Sequence, residues 1–203
     1  DDLVGRTDLL EVTEAIDFWK ARGLDFSKVL FGTPDTPRNS VYCTEPYTHE
    51  LSGLLDNVLI EKAQPALLRK ERVEISMPIS NRDRTVCTML SGEICKRYEI
   101  EGLPEDTITV KFDGCAGQSF AAFGAKGLTV ILEGEANDFV AKGLSGAKVI
   151  VKPKSGTSFD PALNVVCGNV LLYGATSGEL YVNGRVGERF AIRNSGAYAV
   201  VEG

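Results

Sequence analysis

The sequence predicts a mainly β protein wound as a parallel β-helix, with a few helices in its N-terminal third. Two observations carry this. The first is a series of short runs rich in Val, Ile, Leu and Tyr, each ending in Gly or Pro: ITVKFDG to Gly114, LTVILEG to Gly134, AKVIVKP to Pro153, ELYVNG to Gly184 and AYAVVEG to Gly203. Branched and aromatic residues bounded by turn formers favour strands. The second is spacing. Glycine corners at Gly127, Gly146, Gly178 and Gly196 are 19, 32 and 18 residues apart. The long interval holds an insertion, KSGTSFDPALN, at 154–164, without which the period is near 19 throughout. A fixed period of this size means stacked repeats, and neither the Leu ladder of leucine-rich repeats nor the length of helical repeats is present.

A coil of this length holds two or three short strands. Second strands are therefore expected at 119–123, 139–142, 169–173 and 189–193. Each strand would pair with its counterpart one coil away, roughly 4.8 Å along the axis. Val110, Val130, Val149 and Val182 would form an inward apolar column. The corner glycines supply positive φ and close backbone approach. A phosphate cradle would need a helix opening after the corner, and none is evident.

Upstream, the chain reads in order as follows. Leu9, Leu10, Val12, Ile16 and Trp19 have rough helical spacing, with a stop at Arg22-Gly23. Residues 31–47, rich in Gly, Pro, Thr, Asn and Ser, read as a loop or extended arm. Leu55, Val58, Leu59, Ala63 and Leu67 give a helix over 51–70 that Pro65 kinks or restarts. Residues 72–79 alternate as a half-buried strand. Asn81 and Asp83 can cap a short helix over 85–98, built on Val86, Leu90 and Ile94 and closed by Gly102-Leu103-Pro104. The expected organisation is an N-terminal helix and arm at 1–50, then a β-helix domain at 51–203. That domain comprises the helix at 51–70, a first coil with an inserted helix at 72–106, and the glycine-repeat coils at 107–203.

With 43% hydrophobic and 25% charged residues the composition is that of an ordinary globular protein. A net charge of -6 argues against nucleic acid or an acidic membrane surface as partner. No apolar run approaches the length of a membrane span, and no signal-peptide pattern is present. Five cysteines, none in a CxxC pair, read as thiols in a reducing compartment. The only histidine is His49, a lone loop residue, so the sequence predicts no metal or cluster site.

Several residues invite a chemical reading, and each has a plainer one. Asp83-Arg84 reads as a cap and its neighbour. Glu135 and Asp138 lie in one turn, where Asx capping competes with acid–base work. Ser119 has no nucleophile elbow and no His partner. Arg185, Arg189 and Arg193 recur every four residues, as a solvated face or one that meets acidic groups of a neighbour. No catalytic, cofactor-binding or metal-binding residue is expected in this chain.

The longer words of the sequence carry a resemblance. NRDRTVCTMLSGEI (81–94), GLPEDTI (102–108), AGQSFAAF (116–123), EGEANDFVAKGLSGAKVIV (133–151), GNVLLYGATSGE (168–179) and GERFAIRNSGAYAVVEG (187–203) resemble the C-terminal glycine-repeat, or GXGXG, domain of glutamate synthase large subunits. LVGRTDLL (3–10) and LLDNVLIEKAQPAL (54–67) look like the segment leading into it. The resemblance implies a right-handed, single-stranded parallel β-helix without catalytic residues. It implies cytoplasmic glutamate biosynthesis, or plastid in a plant-type enzyme, from glutamine and 2-oxoglutarate. The implied partners are an amidotransferase domain that releases ammonia and an FMN domain with an iron–sulfur cluster that reduces 2-iminoglutarate. A similar domain serves as a subunit of formylmethanofuran dehydrogenase, which is one alternative; an independent ligand-binding solenoid is another, disfavoured because aromatics do not recur at the repeat spacing. Cys87, Ala121, Ala141 and Ala147 stand where the family pattern has glycine, so these positions are expected not to need positive φ. Starting at Asp1 and stopping at Gly203, the chain reads as a fragment, a split subunit or a trimmed chain.

Overall fold

The computed structural model describes residues 18–20, 45 and 48–203. The chain divides into two compact units, 1–50 and 51–203. The helix expected near residues 9–22 and the arm at 31–47 lie almost wholly outside the described residues; all elements below belong to the second unit.

Two helices open that unit, α1 (Leu55–Lys62) and α2 (Gln64–Arg69). The break at Ala63 comes where Pro65 enters the first turn of α2, so the proline restarts the helix instead of bending it. Val58 is exposed, and Leu59, Ala63, Ala66 and Leu67 make the buried face. Strand β1 (Val73–Ile79) leads through a turn to α3 (Thr88–Tyr98), which buries Leu90 and Ile94. The helix begins at Thr88, not at 85, because Thr85 and Cys87 take positive φ (53° and 75°).

From there the fold is mainly parallel β. Strands β2 (Ile108–Ala116), β3 (Leu128–Ala136), β4 (Ser145–Lys152), β5 (Val165–Cys167), β6 (Ser177–Asn183), β7 (Arg185–Val186) and β8 (Tyr198–Glu202) join β1 in one eight-stranded sheet. The main path runs β1-β2-β3-β4-β6-β8, every pair parallel. The short strands β5 and β7 continue the far ends of the longer ones: Ala136 pairs with Cys167, and Val165 with Arg185. Residues 154–164 therefore leave the ladder after β4 and return to it at β5.

The register sets the columns. Ile75, Val110, Val130, Val149, Leu180 and Ala199 are partners across successive strands, and Met77, Phe112, Leu132, Val151, Val182 and Val201 form the next inward column. Val182 thus belongs to the second column, and Leu180 takes its place in the first. Strand alternation puts both columns on one face, and from Val110 to Val182 they are almost fully buried. Phe112 meets Phe120 edge to face in this core, with ring centroids 5.6 Å apart.

The segments expected to be second strands are not strands. In each, alternate residues take positive φ: Ser119, Ala121 and Phe123; Phe139, Ala141 and Gly143; Val170, Leu172 and Gly174; Arg189, Ala191 and Arg193. That alternation is incompatible with a pleated strand, whose residues all stay near φ −120°. The segments are left-handed arcs, and their backbone still bonds to neighbouring segments of the chain. Ser119 N–H donates to Asp138 O (2.9 Å) and Phe123 N–H to Lys142 O (2.8 Å), while Ala121 N–H donates the other way to Val86 O (2.9 Å).

The expectation for the substituted glycines is overturned too. Cys87, Ala121 and Ala141 sit at φ 75°, 55° and 55°; only Ala147 does not have positive φ. A left-handed residue with a Cβ costs about 1–2 kcal/mol, but all three are completely buried, Ala121 and Ala141 inside the bonded arcs and Cys87 just before α3. Of the corner glycines, Gly127, Gly146 and Gly178 have φ 93°, 113° and 105°. The pairings Thr129–Lys148 and Ser145–Ser177 put these three in one column. Gly196 is one residue off it, since Glu179 pairs with Tyr198, and its φ is not positive. It is required for space: a Cβ there would lie 2.2 Å from Thr176 O.

Candidate functional site

Near the far ends of β2, β3 and β6 the chain bends at a glycine: Gly114, Gly134 and Gly184. Gly114 and Gly134 are register partners with φ 136° and 153°, and a Cβ on Gly134 would lie 1.9 Å from Gly114 O. The coils can pack at this distance only as glycine. Beyond the bend Cys115 stacks on Glu135, and its thiol donates to Glu135 Oε1 (3.1 Å). The next coil interrupts the glycine column with Pro153 and the 154–164 loop. That loop is tied down by Lys154 Nζ on Asp113 Oδ2 (2.6 Å) and by Arg185, whose Nε donates to Ala162 O (2.8 Å) and whose backbone N donates to Asn164 O (2.8 Å). Between loop and bend lies a recess of about 390 Å³, lined by Cys115, Glu133, Glu135, Phe159 and Val165 among others.

The residues weighed from sequence are not brought together as a reaction centre. Glu135 holds the Cys115 thiol, whereas Asp138 Oδ1 accepts from Asn169 N (2.7 Å) in the next coil. Asn169 Oδ1 then accepts from Glu188 N (2.8 Å), so these side chains form a ladder that links three coils. Asp83 Oδ2 accepts from Ser80 N and Ser80 Oγ, both at 2.8 Å. It caps the turn after β1 and not helix α3. Ser119 spends its N–H on the next arc and stands at φ 61°. Arg189 and Arg193 are exposed in the last arc, and Arg185 holds the loop, so the three serve different places. His49 is exposed in the first unit.

The cysteines are equally dispersed. Cys87 and Cys167 are buried, Cys95 and Cys115 exposed, all as free thiols; Cys43 lies outside the described residues. Burial pushes the Cys167 thiol up to about 12 and, with the charge of Asp56, holds Cys87 far above the ordinary thiol range. The hydrogen bond to Glu135, then burial, raises Cys115. A nucleophilic or metal-binding cysteine needs the opposite shift. Among the described residues no group of His, Cys, Asp and Glu could hold a metal ion, and no helix is long and apolar enough to cross a membrane.

One polar residue of the core escaped the sequence reading. Asp56, on α1, is only 4% exposed. Its Oδ2 accepts from Cys87 N (2.9 Å) and its Oδ1 from Leu90 N (3.0 Å), so it caps α3 from another helix. Its carboxyl is raised above the usual range, chiefly by burial, against the lowering effect of those backbone donors. A cap supplied from 31 residues away leaves no local signature. The only sequence signal was an acidic residue on the apolar side of a helix.

Asp138, Asn169 and Asp83 thus spend their side chains on backbone donors, and the recess beside the insertion is one of several on the surface. The GXGXG motif family model matches residues 56–203. Over its whole length the chain is 47% identical to the large chain of the NADPH glutamate synthase of Bacillus subtilis, 46% identical to the NADH glutamate synthase of Schizosaccharomyces pombe and 38% identical to the chloroplastic ferredoxin-dependent glutamate synthase of Spinacia oleracea. It spans 13%, 10% and 12% of those proteins. The chain belongs to the GXGXG family and is homologous to a segment of glutamate synthase large chains.

Proposed function

We propose that this chain is a non-catalytic structural segment of a glutamate synthase, a right-handed single-stranded β-helix that scaffolds the enzyme's other domains. The likeness to glutamate synthases along its entire length carries the reading. The bonding of both strands and arcs from coil to coil supports a continuous winding. The partners on this reading are the glutamine amidotransferase domain and the synthase domain, in glutamate formation from glutamine and 2-oxoglutarate. FMN and the iron–sulfur cluster would belong to the synthase domain. The dispersed cysteines, two of them buried in separate coils, do not fit a cluster here. The setting is the cytoplasm, or the plastid if the source is a plant.

A scaffold and an active site respond differently to substitution. In the complete enzyme, Ser119→Ala and Arg189→Ala should leave the rate of glutamine-dependent glutamate synthesis within about twofold. Gly134→Val, which drives a side chain into the Gly114 carbonyl, should uncouple the two half-reactions, so that glutamine hydrolysis continues and ammonia escapes to solution. A hundredfold loss of rate in Ser119→Ala or Arg189→Ala, with the assembly intact by gel filtration, would overturn the non-catalytic assignment.

A further inference from the structure

From Val110 to Val182 the inward columns of the second unit are buried, yet its insertion presents large apolar side chains to water. Phe159 is 43% exposed, Leu163 64% and Val165 61%. Single exposed apolar residues are ordinary. Three on one eleven-residue insertion and the strand that follows it, beside a recess, mark a surface that is covered. The same recess has an unbalanced charge. Asp113 is paired with Lys154 (2.6 Å) and Glu133 with Lys152 (2.9 Å). Glu135 has no cation within reach among the described residues; its contact is the neutral Cys115 thiol. Gly114 and Gly134 line the recess as bare backbone.

From this we infer that the recess between the 154–164 loop and the Gly114–Gly134 bend docks another part of the same large-chain polypeptide, through a large apolar side chain next to a Lys or Arg. The apolar side chain would sit against Phe159 and Val165 on the glycine floor, and the cation against Glu135. The inference rests on the scaffold reading, and the choice of occupant follows from two facts. A basic-apolar segment matches the charge left over on Glu135, and the relatives are eight- to tenfold longer than this segment, so most of such a polypeptide is tethered nearby at high effective concentration.

Cys115 is a reporter placed inside the recess. In the complete large chain its alkylation by N-ethylmaleimide, read by peptide mass mapping, should be slow. It should accelerate at least about tenfold in Val165→Asn, and likewise in Phe159→Gln. Val165→Asn adds no charge beside the thiol, and labelling followed across pH separates a change of access from a change of thiol pKa. Cys87 and Cys167 are buried and must stay unlabelled in the same maps, which verifies intact coils. Should Val165→Asn disturb β5, Phe159→Gln, outside the ladder, gives the same reading. Unchanged Cys115 labelling in both variants refutes the docking. Amine-reactive cross-linking of the same enzyme separates the two levels. Cross-links from residues 51–203 to other segments, with unchanged Cys115 labelling, would refute the recess and keep the scaffold. No such cross-link at all would refute the scaffold and the recess with it.

Discussion

Asp56→Ala is the most informative single change in the second unit. It removes a carboxylate that accepts from two buried backbone donors, Cys87 N at 2.9 Å and Leu90 N at 3.0 Å. A hydrogen bond to a charged group contributes about 1.5–3 kcal/mol, and a buried donor left unpaired costs a comparable amount. Two donors give roughly 3–6 kcal/mol. Against this stands the relief of burying the carboxylate, the effect that raises its pKa. The net expectation is about 2–4 kcal/mol of destabilisation, read as a lower urea midpoint. The partial cap Asp56→Asn should lose less, about 1–2 kcal/mol, since it keeps one acceptor oxygen. The pH dependence has a defined sign. The folded state holds the Asp56 proton more tightly than the unfolded chain, whose carboxyl titrates near the ordinary 3.8. Unfolding therefore releases a proton between that value and the raised one. The contribution of Asp56 is fully present below pH 3.8 and declines as pH rises through the raised pKa. The stability of wild type relative to Asp56→Asn should accordingly fall from pH 4 to pH 7. An Asp56→Ala variant within 0.5 kcal/mol of wild type, about the size of an ordinary surface substitution, would refute the capping account, and a wild type that gains on Asp56→Asn as pH rises would show that the backbone donors outweigh burial at this carboxyl.

The glycine columns and arcs give three more. Gly178→Val should be severe, because it combines positive φ (105°) with a Cβ 2.5 Å from Ala147 O; strain alone is about 1–3 kcal/mol, and thermal denaturation would show it. Gly134→Ala should destabilise despite its single added methyl, since that methyl would meet Gly114 O at 1.9 Å; a urea midpoint equal to wild type would contradict the stacked bend. Arg193→Gly should do the opposite. The exposed arginine stands at φ 55°, in the place that Gly143 and Gly174 take in two earlier arcs, and relief of about 1–2 kcal/mol outweighs the added unfolded-state entropy, so the melting temperature should rise.

What could be read from the sequence was whatever depends on local composition. The runs at 108–114, 128–134, 147–153 and 179–184 became the main strands because branched residues alternate there between glycine stops. The restart at Pro65 was legible because proline acts on its own turn. The arcs were misread because FAAF and VLLY have the composition of strands, and nothing local reveals that alternate residues turn left-handed. What decides it is the carbonyl of the neighbouring coil, which is distant in sequence. The same holds for the Asp56 cap and the Asp138–Asn169–Glu188 ladder, whose partners lie 19 to 34 residues apart. The recess was illegible for a further reason. The insertion at 154–164 was visible as a break in period, but not that it would present Phe159 beside Glu135.

The two uses of left-handed backbone explain why glycine is retained in one place and dispensed with in another. At the bend and corner columns, the position a Cβ would take is already filled by the previous coil, at 1.9 Å for Gly134 and 2.5 Å for Gly178. No rearrangement short of separating the coils makes room, so the cost of a side chain there is steric and large. At the arc positions that carry Ala121 and Ala141 the residue turns left-handed but a Cβ is accommodated, so the cost is only conformational, and hydrogen bonds to neighbouring segments offset it. Ala121 and Ala141 then add buried methyl groups to the core that glycine could not supply. A substituted arc glycine is therefore a trade of backbone strain for burial, whereas a substituted bend glycine offers nothing in exchange. On this argument Ala141→Gly should be close to neutral: about 1 kcal/mol of strain relieved, against a similar loss from the vacated methyl and the freer unfolded chain. A urea midpoint shifted by more than the equivalent of about 2 kcal/mol in either direction would show that strain and burial do not compensate as described.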